Sequence, residues 1–173
     1  MNVAFIIRDL ERAGQTLACA ESCTGGLVAA RLTDVAGVSA VFRGGVVAYA
    51  NAVKETMLGV EQAVLETEGA VSAACATAMA AGVRQRLASD WGVATTGIAG
   101  PGGGTAQKPV GLVYLAVAGP DETVVERNLF TGDRAAIRAQ AVNRVLELLR
   151  ERLTAGTFPT PSTTRTRATV PRP

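Results

Sequence analysis

A serine followed by a cysteine, a threonine and two glycines stands where an apolar run gives way to a helical pattern. The stretch is Ala20-Glu21-Ser22-Cys23-Thr24-Gly25-Gly26. Thr16 to Ala20 reads as a buried strand leading in, and Gly25 to Asp34 as a helix leading out. Such a junction holds the Ser22 hydroxyl at the open end of a strand, beside the first N–H groups of the next helix. Those N–H groups have no intrahelical partner and carry the positive end of the helix dipole. They can hold a phosphate, or the oxyanion formed when a serine attacks a carbonyl. The same residues also suit a plainer role, with Ser22 or Thr24 as the N-cap of the helix, and the stretch alone serves either.

Nucleophilic chemistry at Ser22 would need a base. The chain of 173 residues contains no histidine, which excludes Ser-His-Asp and Cys-His arrangements. Lys, Tyr, Asp, Glu or a terminal amine would have to serve instead. Lys54 and Lys108 are the only lysines among 17 Lys and Arg residues. Arginine stays protonated, whereas a buried lysine can lose its proton. Lys54 falls in the first turn of a short helix, Ala52 to Leu58, with Asn51 as its expected N-cap and Tyr49 ending the strand before it. A helix N-terminus disfavours a cation and so favours the neutral amine. A solvated surface lysine is the alternative reading. Cys23 is a rival nucleophile, more reactive as a thiolate, but no histidine or metal is at hand to lower its pKa.

A second stretch follows another strand: Thr95-Thr96-Gly97-Ile98-Ala99-Gly100-Pro101-Gly102-Gly103-Gly104-Thr105. Successive N–H groups in such a loop can form an anion-binding nest. It does not match the P-loop pattern, and no helix follows it as a dinucleotide fingerprint requires. By glycine content it suits a flexible connection equally well. Further on, Arg134 and Arg138 open the last helix four residues apart. They can converge on one anion or stand as a solvated pair.

The elements that must position these residues alternate between the two periods. Asn2 to Ala13 is predicted as a helix ended by Gly14. Val41 to Ala50 is predicted as a strand whose paired glycines, Gly44 and Gly45, mark a bulge or close backbone approach. Helices are predicted over Glu61 to Thr67 and Ser72 to Ala88, the latter with small residues along its packing face. Val93 to Thr96 is a short strand. Val110 to Ala118 and Thr123 to Phe130 read as an antiparallel hairpin. Arg134 to Leu153 is the last helix. Residues 154–173 are rich in Thr, Pro and Arg and are expected to be a disordered tail.

One Trp, two Tyr and four Phe leave the core to Val, Leu, Ile and Ala. The length suits one domain, residues 1–153, with a sizeable core. A net charge of +2 does not call for nucleic acid. No run reaches the roughly 18 apolar residues of a membrane span. Arg8, Asp9 and Glu11 interrupt the N-terminal stretch, so no signal peptide is expected and the expected compartment is the cytoplasm. Cys19, Cys23 and Cys75 are expected as free thiols, and no metal or cofactor is expected.

With these motifs in this order, the chain resembles the CinA C-terminal domain family, the nicotinamide mononucleotide amidases also called PncC. The resemblance runs over Val3 to Leu153. It rests on the Ala20–Gly26 stretch, Tyr49-Ala50-Asn51-Ala52-Val53-Lys54, Gly69-Ala70-Val71-Ser72, Thr96 to Gly103, Gly111, and Gly132-Asp133-Arg134 with Arg138. It implies a single three-layer α/β/α domain with a mixed five- or six-stranded sheet. It implies hydrolysis of the carboxamide of nicotinamide mononucleotide to nicotinic acid mononucleotide and ammonia. Ser22 would be the nucleophile, Lys54 its base, and Tyr49 an assistant in moving the proton. Cys23, Thr24, Gly25 and Gly26 would surround the oxyanion. Thr96, Gly97, Gly100 and Gly102 would contact the substrate, and Arg134 or Arg138 its phosphate. Some members carry a further molybdopterin-binding-like domain, and this chain resembles the stand-alone form. The expected partner is a small pyridine nucleotide, with neither membrane nor nucleic acid, and a homo-oligomer is expected from the Ala-rich surface. The alternative is a phosphate-binding module without catalysis that senses a nucleotide or docks to a DNA-processing partner.

Overall fold

The computed structural model describes residues 2–155. Five strands form one mixed sheet: β1 (Leu17–Glu21), β2 (Phe42–Val47), β3 (Trp91–Gly97), β4 (Leu112–Ala118) and β5 (Thr123–Leu129), in the order β2-β1-β3-β4-β5. β1 pairs parallel with both β2 and β3, while β4 runs antiparallel to β3 and to β5. The helices are α1 (Ala4–Ala13), α2 (Leu27–Thr33), α3 (Asn51–Leu58), α4 (Gln62–Thr67), α5 (Ala73–Arg86) and α6 (Arg134–Ala155). The last helix therefore passes Leu153 through Thr154 and Ala155. The rest of the expected tail, residues 156–173, lies outside the described residues.

Side chains alternate across a strand, and here the two faces differ in size. Leu17, Cys19, Val93, Val113, Leu115 and Val117 meet α1, α2 and α6 through Ile6, Leu10, Val28, Ile137, Val145 and Leu149. The opposite face presents Ala18, Ala20, Ala94, Ala116 and Ala118 to Leu58, Met79 and Val83 of α3 and α5. Alanine on the sheet and small residues on α5 let that helix lie close, as its sequence predicted. The Ser72 hydroxyl accepts from the Cys75 N–H at 3.1 Å and so caps α5. Ser72→Ala should lower stability by about 1 kcal/mol. Urea unfolding would measure it, and an unchanged midpoint would show that the cap contributes nothing.

The paired glycines of β2 behave as predicted. The register slips between Leu17 opposite Phe42 and Ala18 opposite Gly44, leaving Arg43 as the extra residue. A side chain on Gly45 would begin 2.5 Å from the Cys19 sulfur. β2 stops at Val47, three residues before the predicted Ala50. The Ala48 N–H still bonds the Glu21 carbonyl at 2.8 Å, but the next carbonyls turn inward. Helix α3 then begins at Asn51 itself, with extended Ala50 as the N-cap residue and no side-chain cap. Asn51 is thus inside the first turn, where its side chain cannot cap as expected.

The order of the strands places one crevice. The chain leaves β1 through α2 to reach β2 on one side, while β3 lies on the other. The carboxyl end of β1 is therefore the topological switch point of the parallel part of the sheet, where open α/β sheets hold their ligands. Ser22 is the first residue past that end.

Candidate active site

Strand parity decides which way the key side chains face. Glu21 shares the face of Leu17 and Cys19, toward α2. Ser22 shares the parity of Ala18 and Ala20, toward α3. Its N–H donates to the Thr95 carbonyl at 2.9 Å, carrying the β1–β3 pairing one residue further. On that side lies Lys54, only 1% exposed. Its Nζ is 3.3 Å from Ser22 Oγ, 2.8 Å from the Ala48 carbonyl oxygen and 3.3 Å from that of Tyr49. Nζ donates to all three oxygens, and when the amine gives up its proton its two N–H groups can keep the carbonyls while its lone pair faces the Ser22 hydroxyl. Burial pushes the Lys54 pKa down, against smaller upward effects from Cys75, Cys23 and Tyr49.

The turn after Ser22 is built for this orientation. Gly25 and Gly26 both adopt left-handed backbone, φ 60° and 97°, which L side chains disfavour in succession. Neither Ser22 nor Thr24 caps α2, whose N-cap residue is Gly26 without a side-chain cap of its own. The cap comes from Glu21. Its Oε2 accepts from the N–H of Gly26 and of Val28, each at 3.0 Å, and from the Thr24 hydroxyl at 2.6 Å. Its Oε1 accepts from the Ala29 N–H at 2.9 Å. The positive end of α2 is thus already occupied by a carboxylate, and it is not open to a phosphate. Within Ser22–Gly26, the N–H groups of Cys23 and Thr24 are outside this network and outside the backbone bonds that take Ser22 and Gly25, and both interact with the Cys23 sulfur.

The other expected residues gather at the same end of the sheet, with distinct partners. Tyr49 is 60% exposed, and its hydroxyl accepts from Arg134 Nη2 at 3.1 Å, while its carbonyl faces Lys54. Arg134 Nη1 also donates to the Gly100 carbonyl at 2.9 Å, so one guanidinium spans Tyr49 and the Gly-rich loop. Arg138 does not converge with it. Its Nε and Nη2 donate to the carbonyls of Cys23 and Thr24 at 3.1 and 2.6 Å, bracing the turn from α6. The Thr96 hydroxyl donates to the Ala70 carbonyl at 2.6 Å, holding the segment before α5. Gly97 backs tightly onto β4, where an added side chain would begin 2.6 Å from the Leu112 carbonyl oxygen. Gly102 has open space around it.

Composition and spacing assign no role to Glu21 or Thr95. Thr95 Oγ1 lies 2.7 Å from Thr24 Oγ1, which completes a buried chain to Glu21. The available signal was a lone acid closing an apolar strand, since a buried carboxylate must find donors.

Cys23 is buried, and burial is the main cause that pushes its thiol up to about 11. A thiol so rarely ionised is a weak nucleophile at neutral pH. Iodoacetamide should therefore leave Cys23 unmodified in the native protein and label it only after unfolding. Peptide mass spectrometry would read this, and rapid native labelling would restore Cys23 as a rival to Ser22. Among the described residues, no group of three or more His, Cys, Asp or Glu could hold a metal ion, and no helix is long and apolar enough to cross a membrane.

The family model "CinA C-terminal domain" matches residues 2–153. A CinA-like protein of Parasynechococcus marenigrum is 57% identical over 154 residues, covering 88% of this chain and 37% of the relative. One from Acidobacterium capsulatum is 51% identical over 149 residues, covering 86% and 36%. The chain thus spans little more than a third of the length of these curated relatives. Among solved structures, the competence/damage inducible protein CihA from Agrobacterium tumefaciens superposes with a TM-score of 0.85 at 44% identity, covering 88% of this chain and 93% of that one. A CinA superfamily protein from Klebsiella pneumoniae gives 0.84 at 35% identity, covering 90% and 99%.

Proposed function

Because the chain belongs to the CinA C-terminal domain family, we propose that it is an amidohydrolase that cleaves the carboxamide of nicotinamide mononucleotide, releasing nicotinic acid mononucleotide and ammonia. The observation that carries the reading is the buried Lys54 amine 3.3 Å from the Ser22 hydroxyl, with its pKa lowered by burial. A serine next to a neutral amine is an activated nucleophile.

In the proposed reaction Ser22 Oγ attacks the carboxamide carbon and its proton passes to Lys54 Nζ. The resulting oxyanion lies against the Cys23 and Thr24 N–H groups. Lys54 returns the proton to the departing nitrogen, ammonia leaves, and Ser22 holds an acyl ester. Lys54 then deprotonates a water that hydrolyses the ester. The Ala48 and Tyr49 carbonyls orient the amine throughout, so Tyr49 assists through its backbone as well as its ring. Arg134 supplies the phosphate contact together with the loop at Gly100, because it is exposed at the rim and holds one carbonyl and the exposed Tyr49 hydroxyl, while the half-buried Arg138 holds two carbonyls of the turn.

Ammonia release from nicotinamide mononucleotide tests the proposal. The wild-type chain should release it, and Ser22→Ala, with unchanged circular dichroism, should not. Release that persists in Ser22→Ala would point to direct attack by water. A folded wild type that binds the nucleotide and releases nothing would favour the binding-module alternative.

A further inference from the structure

We infer that Glu21 is a positioning residue for the nucleophile, acting through the turn that carries Ser22. This rests on Ser22 being the nucleophile. Glu21 is 1% exposed, and its neighbours are donors. The Gly26, Val28 and Ala29 N–H groups and the Thr24 hydroxyl point at it within 3.0 Å. The Cys19 thiol lies 3.7 Å from Oε1. A carboxylate offers about four lone-pair sites on its two oxygens, so this set uses the group fully. No side chain of another charge type is needed to explain its burial, because the N–H groups and the helix dipole supply the positive field.

The consequence for Ser22 follows from connectivity. Glu21 and Ser22 are adjacent and face opposite sides of the sheet. Residues 24 to 29 close a ring around the Glu21 carboxylate, from the Thr24 hydroxyl to the Ala29 N–H. That ring fixes the path of the chain through Ser22, Cys23 and Thr24 from one side. Arg138 fixes it from outside by holding the Cys23 and Thr24 carbonyls. In a planar trans peptide the carbonyl and the following N–H point opposite ways, so with the Cys23 carbonyl turned toward Arg138 the Thr24 N–H is directed away from it. The carboxylate therefore sets both the placement of Ser22 Oγ against Lys54 and, together with Arg138, the orientation of the Thr24 N–H, without touching substrate. A shift of about 1 Å in such a constellation can lower a rate about 10²-fold.

Glu21→Gln tests this, because it keeps size and removes charge and one acceptor position. With nicotinamide mononucleotide, kcat should fall about 10²-fold while KM stays within about threefold. A general loss of structure would lower the folded fraction instead, seen by circular dichroism. A second readout does not depend on that substrate: the rate at which phenylmethylsulfonyl fluoride sulfonylates Ser22, followed by peptide mass spectrometry. Ser22 Oγ displaces fluoride from sulfur in that reaction and its proton leaves to the neighbouring amine. Labelling should be fast in wild type and slowed in Glu21→Gln. If Glu21→Gln does not fold, Thr24→Val removes one donor and leaves the backbone bonds, and it should slow labelling about tenfold. Wild-type kcat and labelling in a folded Glu21→Gln or Thr24→Val would overturn the inference. Wild-type protein that is labelled at Ser22 yet releases no ammonia would overturn the amidase reading alone. Slowed labelling in the variant would then still uphold the role of Glu21.

Discussion

Lys54→Met should lower ammonia release from nicotinamide mononucleotide by about 10³-fold or more, since a positioned general base contributes about 10²–10⁴ and here also activates the nucleophile. Methionine keeps the length and apolar stem of lysine, so the buried space is filled. It takes the amine away from Ser22 and leaves the Ala48 and Tyr49 carbonyls without a donor, an effect on stability opposed by relief of a buried ionisable group. The pH dependence supplies a separate check. Burial lowers the Lys54 pKa from the ordinary lysine value, and in the proposed mechanism the neutral amine is the active form. The wild-type rate should therefore rise with pH through that lowered pKa, and the residual rate of Lys54→Met should lack the rise. A flat wild-type profile from about pH 6 to 10 would falsify the assignment of Lys54 as base. Stability carries the same sign. Between the lowered folded pKa and the ordinary unfolded one, the unfolded chain binds the extra proton, so stability increases with pH across that window and is level below it. Lys54→Met should lose this increase in urea titrations.

Gly82→Ala should destabilise the fold by about 3 kcal/mol or more, opposite in sign to what helix propensity predicts. In the middle of a free helix, replacing glycine by alanine stabilises by about 1 kcal/mol. Gly82 lies within α5, and a Cβ there would fall 1.9 Å from the Leu58 carbonyl oxygen and 2.8 Å from its carbon. These are backbone atoms at the end of α3, so no side chain can rotate away. Either α3 and α5 separate or the clash remains, and overpacking against rigid neighbours costs about 1–3 kcal/mol or more. Thermal unfolding should show a midpoint lowered by about 6–12 °C for a domain of this size. Because α3 carries Lys54, separation of the helices should also lower activity in the fraction that stays folded. A raised midpoint would mean that α5 has room at Gly82 and that the tight packing is wrong.

Much of this site was legible before any fold was known. The absence of histidine confined the base to a few residue types, the scarcity of lysine left Lys54 and Lys108, and the family resemblance pointed to Lys54. The apolar run into Ser22 and the glycines after it located the junction, because a buried strand and a left-handed turn need those residue types locally. The hairpin of β4 and β5, the bulge at Gly44 and Gly45, and the small-residue face of α5 were readable for the same reason: each is set by interactions within one segment or by side-chain size alone.

Tertiary structure alone decided what meets what. Half-buried Ser22 meets Lys54 because β2 ends at Val47 and the Ala48 and Tyr49 carbonyls then hold the amine beside it. Arg134 and Arg138, equivalent by spacing, part because one reaches the Gly100 carbonyl and Tyr49 while the other meets the Cys23 and Thr24 carbonyls. The N-terminus of α2, which by sequence suited either an anion or a Ser22 or Thr24 cap, is filled by Glu21. Sequence determined the kinds of groups available for chemistry, since composition and local propensity act residue by residue. The fold determined their partners and their surroundings, since burial, hydrogen-bond satisfaction and a lowered lysine pKa arise only when segments distant in the chain are packed against one another.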